Sequence, residues 1–296
     1  DLVEQRAALL REMGIGDGDR VLLMVPMSVE LYAFLLATWT IGGVAVFIDP
    51  WMGLDNLAMA TSKVKPKIFI GTSAAQVLRW RVPALREVPL ALGVGSVAKL
   101  LQRRRLVGSI AERHRDDVAL ITFTTGSSGT PKGSARTHGH LLAQHQVLHD
   151  VMGPKPGTVD MPALPIFALN TLASGATCIV PAMDMRRVDR VQAKAILRQI
   201  EAFGVEQISA SPPFFERLTA HLPRPPSSLQ RIFTGGAPVT TCLAAALADW
   251  RLPFGATIVY GSTEAEPIAH LDVVRFAECA AAIARGSGTP LGKPIA

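Results

Sequence analysis

The chain is 296 residues long, 49% hydrophobic and 18% charged, with a mean hydropathy of +0.28; these values exclude a disordered chain and leave room for about two domains, or for one large α/β domain with subdomains. Thirty Lys and Arg against 24 Asp and Glu give a net charge of +6. The densest basic cluster, Arg103 to Arg105, has no aromatic residues interleaved, so it is read as a solvated face and no nucleic-acid partner is expected.

In chain order, residues 31–48 carry no charge and reach the length at which a membrane span must be weighed. Gly42 and Gly43 interrupt the run, so it reads as a buried helix, a glycine stop and a buried strand over 44–48 ending at Asp49-Pro50, with no transmembrane segment. A helical pattern over 57–63 precedes a strand at 67–70, and 118–123 is a short apolar strand running into a glycine-rich loop. Residues 141–151 read as a helix and 176–180 as a strand stopped by Pro181. A helix over 191–203 with Gly204 as its stop leads to a strand at 205–209, and Pro212-Pro213 opens a helix reaching 222. The strand 229–233 enters Gly235-Gly236-Ala237-Pro238, and after a helix over 243–250 the strand 256–260 enters another loop. Strands alternating with helices predict an α/β fold with right-handed crossovers and mostly parallel sheets covered on both faces. Ligands in such folds bind at loops leaving the carboxyl ends of strands, where three glycine-bearing loops sit. The chain opens on Asp1 and stops at Gly292-Lys-Pro-Ile-Ala296 with no closing element, which reads as missing ends.

The first of these loops is Thr124-Thr125-Gly126-Ser127-Ser128-Gly129-Thr130-Pro131-Lys132-Gly133. Two glycines allow close backbone approach, so that successive N–H groups can point at one anion. The hydroxyls of Thr125, Ser127, Ser128 and Thr130 add donors, and Lys132 adds a compact cation. It is not a Walker A loop, which wants Gly-Lys-Ser/Thr where this chain has Pro131-Lys132-Gly133.

With that loop the chain resembles the ANL superfamily of adenylate-forming (AMP-binding) enzymes, which includes acyl-CoA synthetases, adenylation domains of peptide synthetases and luciferases. The family's usual Thr-Ser-Gly-Thr-Thr-Gly-x-Pro-Lys-Gly differs here only by swaps that keep the hydroxyls. Tyr260-Gly261-Ser262-Thr263-Glu264 matches its Tyr-Gly-x-Thr-Glu, and Gly235-Gly236-Ala237-Pro238 its adenine-flanking loop. Gly288 to Pro294 resembles the glycine/proline stretch that follows, and Gly18 to Val21, Gly42 to Ala45 and Asp49-Pro50 fit the start of its large domain. The implied fold is the large N-terminal domain of acyl-CoA synthetase-like enzymes, layered α/β subdomains over residues 1–296, incomplete at both ends and without the small C-terminal domain.

The resemblance implies attack of a carboxylate on the α-phosphorus of Mg·ATP, giving an acyl-adenylate and pyrophosphate, with catalysis by positioning and charge neutralisation. Carried over, the loop from Thr124 to Lys132 cradles the β- and γ-phosphates, Glu264 holds Mg²⁺, Thr263 donates to the α-phosphate and Tyr260 stacks on adenine. Gly235, Gly236 and Ala237 line the adenine and acyl tunnel. The family's ribose-binding Asp, hinge and C-terminal lysine fall beyond Ala296. Where many members have a histidine after Pro-x-Phe, this chain reads Pro165-Ile166-Phe167-Ala168 with Asn170 beyond, a departure that argues against an aromatic–histidine gate over the carboxylate.

The segments from Asp49 to Leu57, Pro165 to Leu169 and Val180 to Asp184 resemble one branch, which holds the β-lactone synthetases of olefin biosynthesis and their long-chain acyl-CoA-ligase-like relatives. The expectation is a cytoplasmic ligase that adenylates a long-chain carboxylic acid and passes the acyl group to CoA. The alternatives are lactone closure of a β-hydroxy acid, a non-catalytic nucleotide- or acyl-binding module, and a P-loop kinase or NTPase; acyl length and oligomeric state stay open. His138, His140, His145 and His149 lack a paired Glu or Cys and are not read as a metal site. Cys178, Cys242 and Cys279 are too few and scattered for a disulfide framework, which points to a reducing compartment, and Cys178 in a buried strand is not read as a catalytic thiol.

Overall fold

The computed structural model describes residues 1–49, 52–96, 108–125, 130–185, 187–262 and 265–295. They fall into two compact units, Asp1–Leu142 and Ala143–Ala296.

The first unit is built on a six-stranded sheet of order β4-β3-β1-β2-β5-β6. Its strands are β1 (Arg20–Met24), β2 (Val44–Ile48), β3 (Ile68–Gly71), β4 (Leu90–Gly93), β5 (Val118–Thr125) and β6 (Pro131–Thr137). The first five pair in parallel, and β6 returns antiparallel along β5. The apolar run at 31–48 resolves as expected into helix α2 (Val29–Thr40), capped by the Ser28 hydroxyl, a turn, and β2. At 12 residues α2 is about 18 Å long, too short for a hydrocarbon core of about 30 Å. No described helix is long and apolar enough to cross a membrane. The run lacks charge because α2 is buried on several sides, at Leu31, Tyr32, Phe34, Leu35 and Ala37, and the strand it feeds is buried on both faces. One face of this sheet, Leu22, Met24, Val46, Ile48, Phe69 and Phe123, packs on Leu57, Val64, Ala75 and Leu85 of helices α3 (Leu54–Val64), α4 (Ser73–Arg81) and α5 (Pro83–Arg86). Helix α1 (Leu2–Glu12), capped by an Asp1–Glu4 capping box, opens the chain.

The second unit carries a seven-stranded sheet of order β13-β12-β11-β10-β9-β7-β8. Here β7 (Val159–Pro162), β8 (Thr177–Cys178), β9 (Gln207–Ala210), β10 (Arg231–Gly235) and β11 (Ala256–Ser262) are parallel, and β12 (Ala265–Asp272) and β13 (Lys293–Pro294) are antiparallel. Its helices are α6 (His138–Met152), which begins in the first unit, α7 (Pro165–Ala173), α8 (Ala193–Phe203), α9 (Pro212–Thr219), α10 (Thr241–Asp249), α11 (Val273–Glu278) and α12 (Ala280–Ala284). One sheet face, Met161, Ile208, Ala210, Ile232 and Ala256, packs on Ile196, Phe214, Leu243 and Phe276 of α8 to α11. On the other, Phe233 and Val259 pack on Leu148 and Met152 of α6 and Phe167 of α7. The predicted stop of α8 holds, with Gly204 in the left-handed region at φ 62°. The predicted start of α9 holds too, with Pro212 in its first turn.

One expectation is modified. The strand expected over 176–180 shrinks to Thr177–Cys178 at the sheet edge, where one partner strand supplies its hydrogen bonds. As expected, the sheets are mostly parallel; besides the short edge strand β13, the antiparallel strands are the returns β6 and β12. Neither reads as a strand in sequence: β6 carries Lys132, Gly133, Ser134 and Arg136 on an edge that is largely exposed, so no apolar alternation marks it.

Candidate active site

In the first unit the two flanks of the phosphate-loop sequence pair with each other in antiparallel register. Phe123 lies opposite Gly133, Thr124 opposite Lys132, and Thr125 opposite Pro131. Pro131 is buried and Lys132 exposed, so the proline anchors the return strand while the lysine side chain stays in solvent. Gly133 is tightly packed: a Cβ there would lie 3.0 Å from two ring atoms of Phe123, itself a core residue, so the ring would have to shift to admit it. The expected phosphate-binding residues Gly126, Ser127, Ser128 and Gly129 lie outside the described residues, as do the side chains of Thr124 and Thr125.

In the second unit the other two turns leave neighbouring parallel strands. Gly235 ends β10 directly opposite Val259 of β11, so Gly235-Gly236-Ala237-Pro238 and Tyr260-Gly261-Ser262 emerge side by side at the carboxyl ends. A Cβ on Gly235 would stand 2.2 Å from the Val259 carbonyl oxygen, which only glycine permits. Gly236, Ala237 and Pro238 are exposed, and Tyr260 keeps 42% of its surface open. Ser262 pairs with Ala265 across the hairpin to β12, and Thr263 and Glu264 between them lie outside the described residues.

Helix α6 runs antiparallel to β10 along this unit. Near the amino end of the strand, Arg231 Nη1 donates to the Met152 carbonyl at 3.0 Å, and at the turn end Gln144 Nε2 donates to the Glu266 carbonyl at 3.2 Å. Helix α7 starts just past the carboxyl end of β7, with Pro165 at its start, and two side-chain bonds tie it to α6. His145 Nδ1 meets Asn170 Oδ1 at 2.8 Å, and His149 Nδ1 meets Ser174 Oγ at 3.0 Å. Both pairs are 25 residues apart, so they are successive rungs one helical turn from each other. The four-residue histidine spacing thus serves contacts between helices. Sequence reasoning missed these rungs because partners on another helix leave no local pattern.

Beneath α7 lies a buried carboxyl. Asp160 of β7 is fully buried and accepts a 2.5 Å hydrogen bond from Thr171 Oγ1. It sits in register with Cys178 on one side and Gln207 on the other. Burial pushes its pKa up to about 7, and the Thr171 bond opposes this only in part. Burial, and then the neighbouring Asp160 charge, push the Cys178 thiol up to about 12, which leaves it an inert thiol at neutral pH.

Layered α/β units with glycine turns at the carboxyl ends of their strands are the architecture of the family that the sequence resembles, and residues 1–295 match the AMP-binding enzyme family. The chain belongs to that family. It is similar to the olefin beta-lactone synthetase of Stenotrophomonas maltophilia (strain K279a), with 34% identity over 301 residues, 98% of this chain and 54% of that protein. A feruloyl-CoA synthase of an Amycolatopsis species is 31% identical over 285 residues, covering 91% of this chain and 54% of its own length. Among solved structures, o-succinylbenzoate CoA synthetase from Bacillus subtilis in complex with the acyl-adenylate intermediate OSB-AMP matches with a TM-score of 0.81 at 18% identity, over 99% of this chain and 73% of that one. The chain spans about half the length of the curated relatives it matches.

Proposed function

We propose that the protein adenylates a hydrophobic β-hydroxy carboxylic acid with ATP, releases pyrophosphate, and closes the acyl-adenylate to a β-lactone. The observation that carries this reading is the 34% identity to an olefin beta-lactone synthetase across nearly the whole chain. The first expectation, transfer of a long-chain acyl group to CoA, is the second reading, and the 31% identity to a feruloyl-CoA synthase over 91% of the chain favours it. Both readings share the adenylation step and differ only in the nucleophile that takes the acyl group.

The turns carry the first step. An anionic carboxylate must approach a polyanion, so the work of the protein is to orient the two and to share the phosphate charge. The exposed Lys132 and the hydroxyls and N–H groups of residues 124–130 bind the departing phosphates, and Thr263 donates to the α-phosphate. Glu264 is the hard oxygen ligand suited to Mg²⁺, which supplies charge neutralisation when bound. The open face of Tyr260 stacks on adenine, and the side-chain-free backbone at Gly235 and Gly236 lets the nucleotide lie close to the strand end.

The test is product analysis by mass spectrometry after incubation of a long-chain β-hydroxy acid, or of the plain fatty acid, with ATP and Mg²⁺, with and without CoA. The β-hydroxy acid is expected to yield pyrophosphate, AMP and a product lighter than the acid by one water, without CoA. A thioester formed only with CoA overturns the lactone reading in favour of the ligase. Nucleotide binding without pyrophosphate release points to a binding module, and release of orthophosphate in its place to an NTPase.

A further inference from the structure

We propose that His145 is the base that takes the proton of the substrate hydroxyl during lactone closure, and that Asn170 is the residue that positions it. The assignment rests on the lactone reading above. In that step the β-oxygen bonds to the acyl carbonyl carbon, the bond from that carbon to the AMP oxygen breaks, AMP leaves, and the hydroxyl proton must go to an acceptor. A hydroxyl is a poor nucleophile until an acceptor stands within hydrogen-bond reach of its proton.

Three features single out His145. The first is its tautomer. Asn170 Oδ1 can only accept, so its 2.8 Å contact with Nδ1 is a hydrogen bond when Nδ1 carries the proton, which leaves Nε2 with its lone pair. The ring is only partly buried, and among the described residues no bond to Nε2 occupies that lone pair. The second is place. The adjacent Gln144 holds the main chain at Glu266, and Glu266 abuts Gly261, whose added Cβ would lie 3.1 Å from Glu266 Cγ. His145 is therefore the next residue along α6 from the one that reaches β12 beside the Tyr260–Ser262 turn. The third is the neighbouring polar demand. Asn170 is 2% exposed, and its Nδ2 is buried with no hydrogen-bond partner among the described residues, so a donor beside the imidazole lacks an acceptor. Meanwhile Ala168 on α7 is fully buried and offers no imidazole.

Among the described residues, the groups in contact with the His145 ring are Asn170 from α7 and, on its own helix, the ring of His149 at a centroid distance of 5.8 Å. His149 is the internal control. It makes the same kind of rung to Ser174, one turn farther from the strand ends, and is assigned a structural role.

The experiment compares wild type, His145→Gln, Asn170→Leu and His149→Gln in the full-length polypeptide, with ATP, Mg²⁺ and a long-chain β-hydroxy acid. Pyrophosphate release and lactone formation are followed separately in single turnovers across pH 5 to 9. His145→Gln is expected to keep pyrophosphate release within about threefold while slowing closure by about 10²- to 10⁴-fold, the span of general-base catalysis. Acyl-adenylate then accumulates, and the acid limb of the closure rate disappears. Asn170→Leu is expected to slow closure by about tenfold or more at an intact first step, and His149→Gln to leave the ratio of the two steps unchanged. Equal losses in both steps for His145→Gln, or a closure rate that keeps its acid limb, overturn the assignment while the lactone reading stands. Adenylate without lactone from wild type removes the reaction, and the assignment falls with it.

Discussion

The buried Asp160 makes the stability of the protein depend on pH in a direction opposite to that of most carboxylates. In the folded chain its pKa is raised from 3.8 to about 7, so folding favours the protonated form. The unfolded chain gives up that proton near pH 4, the folded chain only near pH 7. Stability attributable to Asp160 is therefore fully present below about pH 4 and is lost as pH rises towards 7. At about 1.36 kcal/mol for each tenfold change in proton affinity, the difference amounts to about 4 kcal/mol above pH 7. Asp160→Asn keeps the size of the side chain and an oxygen to accept the Thr171 hydrogen bond, while removing the charge. It is expected to stabilise the protein at pH 8 by up to about 4 kcal/mol and to be close to neutral at pH 4. Urea unfolding of both proteins at pH 4, 5, 6, 7 and 8 measures the difference directly. Parallel pH profiles, or a variant less stable than wild type at pH 8, would refute the argument that burial of this carboxyl opposes folding.

The other predictions concern the turns. Gly235→Ala places a methyl 2.2 Å from the Val259 carbonyl, so β10 and β11 must separate; thermal unfolding should show a loss of about 2 kcal/mol or more, and ATP binding by calorimetry should weaken with it. Lys132→Ala should reduce pyrophosphate release by about 10- to 100-fold with an unchanged melting temperature, because the exposed side chain contributes charge and no packing. Glu264→Gln should impair Mg²⁺-dependent turnover and raise the Mg²⁺ concentration for half-maximal rate, as read in a metal titration. Wild-type rates in both of these variants would contradict the roles assigned to the turns.

The elements that could be read in sequence are those whose environment is uniform. The uncharged run through α2 and β2, the Gly204 stop of α8 and the Pro212 start of α9 obey local rules that need no knowledge of neighbours. The order of helices and strands is likewise legible, as is the placing of Gly235 to Pro238 and Tyr260 to Ser262 at the carboxyl ends of neighbouring strands.

What depends on partners distant in the chain was settled only by tertiary structure. The returns β6 and β12 are strands because β5 and β11 offer them hydrogen-bonding edges, not because their own residues alternate. Gly235 is held to glycine by a carbonyl 24 residues away, a contact that Gly235-Gly236 does not disclose. Likewise His145 and His149, spaced like metal ligands, turn to Asn170 and Ser174, and Asp160 acquires its raised pKa from burial beneath Thr171. A sequence states which groups a chain possesses and what their neighbours in the chain allow. The partner of a polar side chain, and the water it loses, are properties of the packed interior, which brings together residues that the sequence keeps apart.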